Sequence, residues 1–138
     1  MRFPLEVRYS DYDTKGHVNN AVYLTYFEMG RVRAWSEWVG GDADPSFIVA
    51  AASVRYASPA MLGEALDLEV LAGEVRTKAW VWRYRVTERA TGRLVADGET
   101  TQVLYDYASR TSVAIPPELR ARLAAPAGES AGPDAPGA

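Results

Sequence analysis

The chain contains no cysteine. Disulfides, thiolate nucleophiles and cysteine-based zinc or iron–sulfur centres are therefore excluded from its chemistry. It carries one histidine, His17, too few for a histidine-rich metal site within one chain, although carboxylates remain available to a hard cation such as magnesium. No apolar run approaches the roughly 18–20 residues needed to cross a membrane. The opening Met1-Arg-Phe-Pro-Leu-Glu-Val-Arg8 places charges where a signal peptide has its apolar stretch. A soluble, cytoplasmic protein with no membrane contact is the expectation. Neither a Walker-type nor a dinucleotide-type glycine pattern occurs, and there is no Gly-x-Ser-x-Gly nucleophile elbow. The net charge is −3, with Lys and Arg scattered among acids, so no basic stripe invites nucleic acid.

What is present suits one domain with a real core: 138 residues, 48% of them apolar. Residues 3–9 alternate apolar and polar, as a half-buried strand does, and Pro4 puts that strand at a start or an edge. After the polar segment Ser10–Asn20, Asn19 or Asn20 offers an N-cap for a helix running to about Val39, where Gly40-Gly41 stops it. Tyr23, Phe27, Gly30, Ala34 and Trp38 share one face of that helix, whose apolar flanks predict burial along most of its length. Glu28/Arg31 and Arg33/Glu37 are the pairs expected on its polar side.

The pattern then turns to strands over 47–56, 65–71, 78–87 and 93–105. The clearest alternation sets Trp80, Trp82, Tyr84 and Val86 on one face. A short strand at 111–115 and a proline-opened helix at 116–123 complete a domain over 1–125. Residues 126–138, ten of the thirteen Gly, Ala or Pro, bury too little apolar surface to offset ordering entropy and are expected to be disordered. The fold class predicted is α+β, one long helix on an antiparallel sheet. The uncovered sheet face or edge needs a partner, so at least a homodimer is expected.

Chemistry concentrates in Ser10-Asp-Tyr-Asp-Thr-Lys-Gly-His-Val-Asn-Asn20. Asp11, Asp13, Asn19 and Asn20 read equally as turn and cap residues, worth about 1 kcal/mol each. They also have a chemical reading. A helix N-terminus presents free N–H groups and partial positive charge to a carbonyl oxygen that gains negative charge. A carboxylate a few residues earlier can act on the same carbonyl as nucleophile, or as general base on water. His17, alone in its loop, reads as a structural histidine holding a backbone group. Four tryptophans and eight tyrosines, without a basic stripe, read as core and interface. Arg76 and Lys78 flank a strand start, where they can meet phosphates or simply be solvated.

The segment Arg8–Arg31, with its Asp-x-Asp, His17-Val-Asn-Asn20 and Tyr23-Leu-Thr-Tyr-Phe-Glu-x-x-Arg31 in register, resembles the 4-hydroxybenzoyl-CoA thioesterase-like group of hot-dog proteins. The order of elements matches over about residues 3–123, the later strands only loosely. The resemblance implies a helix wrapped by an antiparallel sheet, dimers that join their sheets, and often tetramers. It implies hydrolysis of an acyl-CoA thioester with no metal and no cofactor. The family's catalytic carboxylate maps to Asp13 and its carbonyl-polarising N–H to Asn20. Substrate contacts map to His17, Val18, Asn19 and Tyr23, and the basic residues near the CoA phosphates to Arg76 and Lys78. His-Val-Asn-Asn is closer to members acting on aliphatic acyl chains than to the aromatic-substrate type. Two rivals share the fold: a hydratase of enoyl or hydroxyacyl thioesters, and a non-catalytic acyl-thioester-binding protein.

Overall fold

The computed structural model describes residues 1–41 and 46–125; the expected disorder of 126–138 lies outside them. The chain begins with a short strand, β1 (Arg2–Pro4), and enters α1 (Val22–Arg33) through a polar turn. Four long strands follow: β2 (Phe47–Tyr56), β3 (Leu66–Val75), β4 (Ala79–Glu88) and β5 (Leu94–Asp106). A two-residue strand, β6 (Thr111–Ser112), and a closing helix, α2 (Pro117–Ala124), end the described chain. All pairings are antiparallel, in the order β1-β3-β4-β5-β2, with β6 on β5. This is the α+β, hot-dog architecture expected: a curved antiparallel sheet around one long helix.

The register explains the core. Val70, Tyr84 and Gly98 lie abreast across β3, β4 and β5, as do Leu68, Val86 and Ala96. The alternation in β4 therefore aims Trp80, Trp82, Tyr84 and Val86 at the helix, and all four are buried. Phe27 stacks on Tyr84 with ring centres 4.4 Å apart. Gly30 lets the helix backbone approach the sheet closely: a Cβ there would come within 2.8 Å of Leu68 Cδ2 and 2.9 Å of Val70 Cγ2. Each buried aromatic or branched side chain contributes about 1.5–3 kcal/mol in the transfer picture. Two polar core residues keep partners: Thr100 bonds Tyr84 Oη at 2.6 Å, and Gln102 Nε2 donates to the Trp80 carbonyl at 3.2 Å.

Several local expectations are corrected. The strand predicted over 3–9 stops at Pro4, because Arg8 and Asp11 pull the chain into a tight 3₁₀ turn at Tyr9–Asp11. The helix predicted from Asn19 or Asn20 to Val39 begins at Val22, with the Asn19 side chain accepting the Ala21 N–H at 3.0 Å. Its last turn, Ala34–Val39, widens to π geometry before Gly40, at φ 73°, ends it. That wider turn carries Trp35 onto Phe47 and Trp80 while Trp38 meets Trp82; π turns serve where a regular spacing would not deliver both side chains. Arg33 and Glu37 pair at 3.1 Å, whereas Glu28 and Arg31 form no ion pair among the described residues. Burial is also one-sided: Leu24 and Val32 on α1 stay exposed.

Candidate active site

The turn before α1 is held in place by its first aspartate. Asp11 is 1% exposed. Its Oδ2 accepts the Arg8 N–H at 2.9 Å and the Tyr26 hydroxyl at 3.0 Å, and Oδ1 takes the Arg8 guanidinium at 3.0 Å. Burial pushes its carboxyl up, but the Arg8 N–H, the Tyr26 hydroxyl and the Arg8 side chain together outweigh that and leave it below its ordinary value. Tyr26 moves the opposite way, raised first by burial and then by its bond to Asp11. The Asp11 carbonyl accepts the Asn19 N–H at 2.8 Å, closing the loop. Every accessible oxygen of Asp11 is thus spent on structure.

Asp13 is the contrasting case. Its side chain is exposed and only Oδ1 is engaged, accepting the Lys15 N–H at 2.8 Å and the His17 N–H at 3.2 Å. Oδ2 accepts no hydrogen bond among the described residues. The Lys15 N–H foremost, then the His17 N–H and the nearby His17 and Lys15 charges, hold the carboxyl below its ordinary value against a desolvation opposing them. An ionised carboxylate with one fixed oxygen and one open oxygen is the result. Gly16, at φ 78°, permits this turn, because a side chain is strained in the left-handed region. Residues from His17 onward return toward the helix, with Asp13 N–H bonding the His17 carbonyl at 2.7 Å.

His17 ties the loop through its backbone N–H and carbonyl, both bonded to Asp13. Val18 is buried, and its N–H bonds the Ala60 carbonyl at 2.9 Å. The Asn20 N–H donates to no described residue, and its carbonyl accepts the Tyr56 hydroxyl at 2.8 Å. The local chain thus offers an unspent N–H at the entrance to α1, where the helix field favours negative charge.

Two adjoining open clefts flank these groups. One, of about 310 Å³, is lined by Asp13, Thr14, Lys15 and His17 through Asn20. The other, of about 330 Å³, shares His17, Val18 and Asn20 and is walled by Tyr23, Tyr56 and Pro59. Tyr23 is buried, edge-on to Tyr26 and Tyr56, and burial pushes its hydroxyl up to about 12 despite an opposing bond with the Ala60 backbone. It stays neutral and offers an aromatic edge. Asp13, His17, Val18, Asn19, Asn20 and Tyr23 are thus brought together.

Arg76 and Lys78 are not. They lie in the β3–β4 turn, where the Lys78 carbonyl accepts the Leu104 N–H and Arg76 pairs with Glu74 at 3.0 Å. The Asp13 turn sits at the other end of the strands, beside Ala60 and Met61. A ten-residue strand, β3, spans about 30 Å, so one chain cannot bring the two sets onto the same short ligand. Tyr56 and Pro59 were missed in the sequence. Their only signal is a tyrosine ending a strand just before a proline; a contact between residues 20 and 56 is set by tertiary register.

Among the described residues, no group of three or more His, Cys, Asp or Glu is placed to hold a metal ion, and no helix is long and apolar enough to cross a membrane.

Comparison with known proteins places these features in a family context. A family model described as the thioesterase-like superfamily matches residues 7–123. The long-chain acyl-CoA thioesterase FadM of Escherichia coli K12 is 28% identical over 130 residues, covering 89% of this chain and 96% of that protein. The acyl-CoA thioester hydrolase YbgC of Escherichia coli O6:H1 is 26% identical over 128 residues, covering 89% and 95%. Among solved structures, a Thermus thermophilus thioesterase crystallised with coenzyme A and Zn superposes with a TM-score of 0.77 at 29% identity, covering 90% of this chain and 97% of that one.

Proposed function

Because the chain belongs to the thioesterase-like superfamily, we propose that it hydrolyses an acyl-CoA thioester to the free acid and coenzyme A, with Asp13 as the reacting carboxylate. The observation that carries the proposal is the pairing, within one short turn, of an open-faced ionised carboxylate and an unspent helix-entry N–H. The thioester C–S bond breaks and the thiolate leaves as coenzyme A, while water supplies the new acid oxygen, either by adding directly to the thioester carbonyl or by hydrolysing a mixed anhydride formed with Asp13. Asp13 either attacks the carbonyl itself or takes a proton from the attacking water; labelled water in single turnover separates the two routes, since only the first puts label into Asp13. The Asn20 N–H stabilises the oxyanion, a contribution of roughly 3–4 kcal/mol for one well-placed donor. The acyl group runs along Tyr23 and Tyr56. Binding through this turn involves His17, Val18 and Asn19.

The working unit proposed is a homodimer that joins sheets at β2, or a tetramer of two such dimers. β2 is an edge strand exposed along most of its ten residues, Ile48 and Val49 among them, and Val32 and Leu24 of α1 are exposed as well, features that a lone soluble chain rarely leaves uncovered. Arg76 and Lys78 are proposed to meet the nucleotide phosphates from a second subunit, since one chain keeps them far from Asp13. A cytoplasmic location fits a coenzyme A substrate.

The test is a thiol-release assay over acyl-CoA and acyl-carrier-protein thioesters varied in chain length and aromaticity. Release of free thiol, with preference for aliphatic chains, is expected. Tight binding without thiol release identifies a binding protein instead, and loss of the crotonyl-CoA double-bond absorbance identifies a hydratase.

A further inference from the structure

The second wall of the cleft, Ser58–Glu64, has no ladder of its own beyond the single bridge between Met61 and His17. Besides backbone bonds such as Ser58 N–H to the Val95 carbonyl and Glu64 N–H to the Met61 carbonyl, one side chain at the approach to β5 reaches several points along it. Arg93 Nε donates to Ser58 Oγ at 3.1 Å and Nη2 to the Pro59 carbonyl at 3.1 Å. Its two terminal nitrogens also reach the two Glu64 oxygens, at 2.8 Å each. Glu64 Oε1 in turn accepts the Met61 N–H at 2.7 Å. One guanidinium thus grips both ends of the loop, a use of the planar fork that lysine cannot copy. The middle of the loop is what meets the turn bearing Asp13: Val18 N–H bonds the Ala60 carbonyl and Leu62 N–H bonds the Gly16 carbonyl, both at 2.9 Å.

The geometry points to Arg93 as a positioning residue for the proposed hydrolysis: it fixes the Ser58–Glu64 loop, which fixes Gly16 and Val18 and so the placement of Asp13 and the Asn20 N–H. The inference rests on the reading of Asp13 given above. The Glu64 carboxyl is held down to about 2, first by its hydrogen bonds from Arg93 and then by the Met61 N–H, so the clamp stays ionised well below the ordinary glutamate range. Misplacement of a reacting group by about 1 Å costs on the order of 100-fold in rate, and losing the clamp acts at that scale.

The chain is compared as wild type, Arg93→Met and Arg89→Met. Arg89 makes a similar half-exposed pair with Asp67, at 2.9 Å, at the same end of the sheet, but among the described residues its side chain hydrogen-bonds only Asp67 and neither the loop nor the turn. It controls for loss of stability alone. Arg93→Met is expected to lower kcat about 10- to 100-fold with KM within about threefold, and to speed amide exchange at Val18 and Leu62. Arg89→Met is expected to leave all three at wild-type values. Wild-type kcat or unchanged exchange in Arg93→Met overturns the inference, as does an equal loss in Arg89→Met. The exchange readout is independent of the substrate, so failure of the clamp and failure of the thioesterase reading give different results.

Discussion

Replacing Tyr26 by Phe isolates the role given to Asp11. The ring stays, so packing against Tyr23 is kept, and the only loss is the hydroxyl that donates to Asp11 Oδ2 at 3.0 Å. A hydrogen bond to a charged group is worth about 1.5–3 kcal/mol. The buried carboxylate retains its Arg8 N–H and guanidinium partners, and Phe no longer carries a hydroxyl to desolvate, so the net loss is about 1–2 kcal/mol. With an m-value near 2 kcal/mol/M, the urea midpoint falls by roughly 0.5–1 M at fixed protein concentration. The penalty also depends on pH. Asp11 is depressed in the folded state, so its bonds stabilise fully above the ordinary aspartate pKa and are lost as pH falls through the depressed value. The difference between Tyr26→Phe and wild type therefore shrinks in acid. A variant as stable as wild type at neutral pH, or a penalty that grows in acid, refutes the structural role of Asp11.

Two further outcomes follow from the core and from the turn. Gly30→Val drives methyl groups into space where a single Cβ already lies 2.8 Å from Leu68 and 2.9 Å from Val70; about 2–3 kcal/mol of stability is lost to overpacking, outweighing the few tenths gained in helix propensity, and thermal unfolding measures it. The acid limb of kcat/KM tracks Asp13: the ionised form is active and its pKa is depressed, so activity holds from neutrality down to below the ordinary carboxylate range and then falls as Asp13 is protonated. A limb centred near neutral pH, with the fold intact by circular dichroism, assigns the proton transfer to His17 instead.

The architecture was largely legible because its signals are local. The alternation of Trp80, Trp82, Tyr84 and Val86 names the inner face of β4, and Gly40 ends the helical segment where expected. The errors arise where tertiary contacts override local pattern. Residues 5–9 keep a strand-like alternation, yet the Arg8–Asp11 pair bends the chain, and the tryptophans at 35 and 38 widen the helix end. Within the site, the turn carrying Asp13 and Asn20 was readable, but not which aspartate is buried: the fold puts Tyr26 and Arg8 on Asp11 and leaves Asp13 to backbone N–H groups of its own turn. Tyr56, Pro59 and Arg93 reach the site across long sequence separations, and no periodicity encodes that.

The central claim is that Asp13 performs the chemistry. Asp13→Asn keeps the size of the side chain and an oxygen able to accept the Lys15 and His17 N–H bonds, while removing the charge, and because the residue is exposed the fold should be unaffected. Measured by thiol release on the best acyl-CoA substrate of the wild-type chain, kcat is predicted to fall about 10²- to 10⁴-fold, the range expected for loss of an acid–base group, with an unchanged thermal midpoint. Wild-type turnover in a folded Asp13→Asn protein contradicts the account.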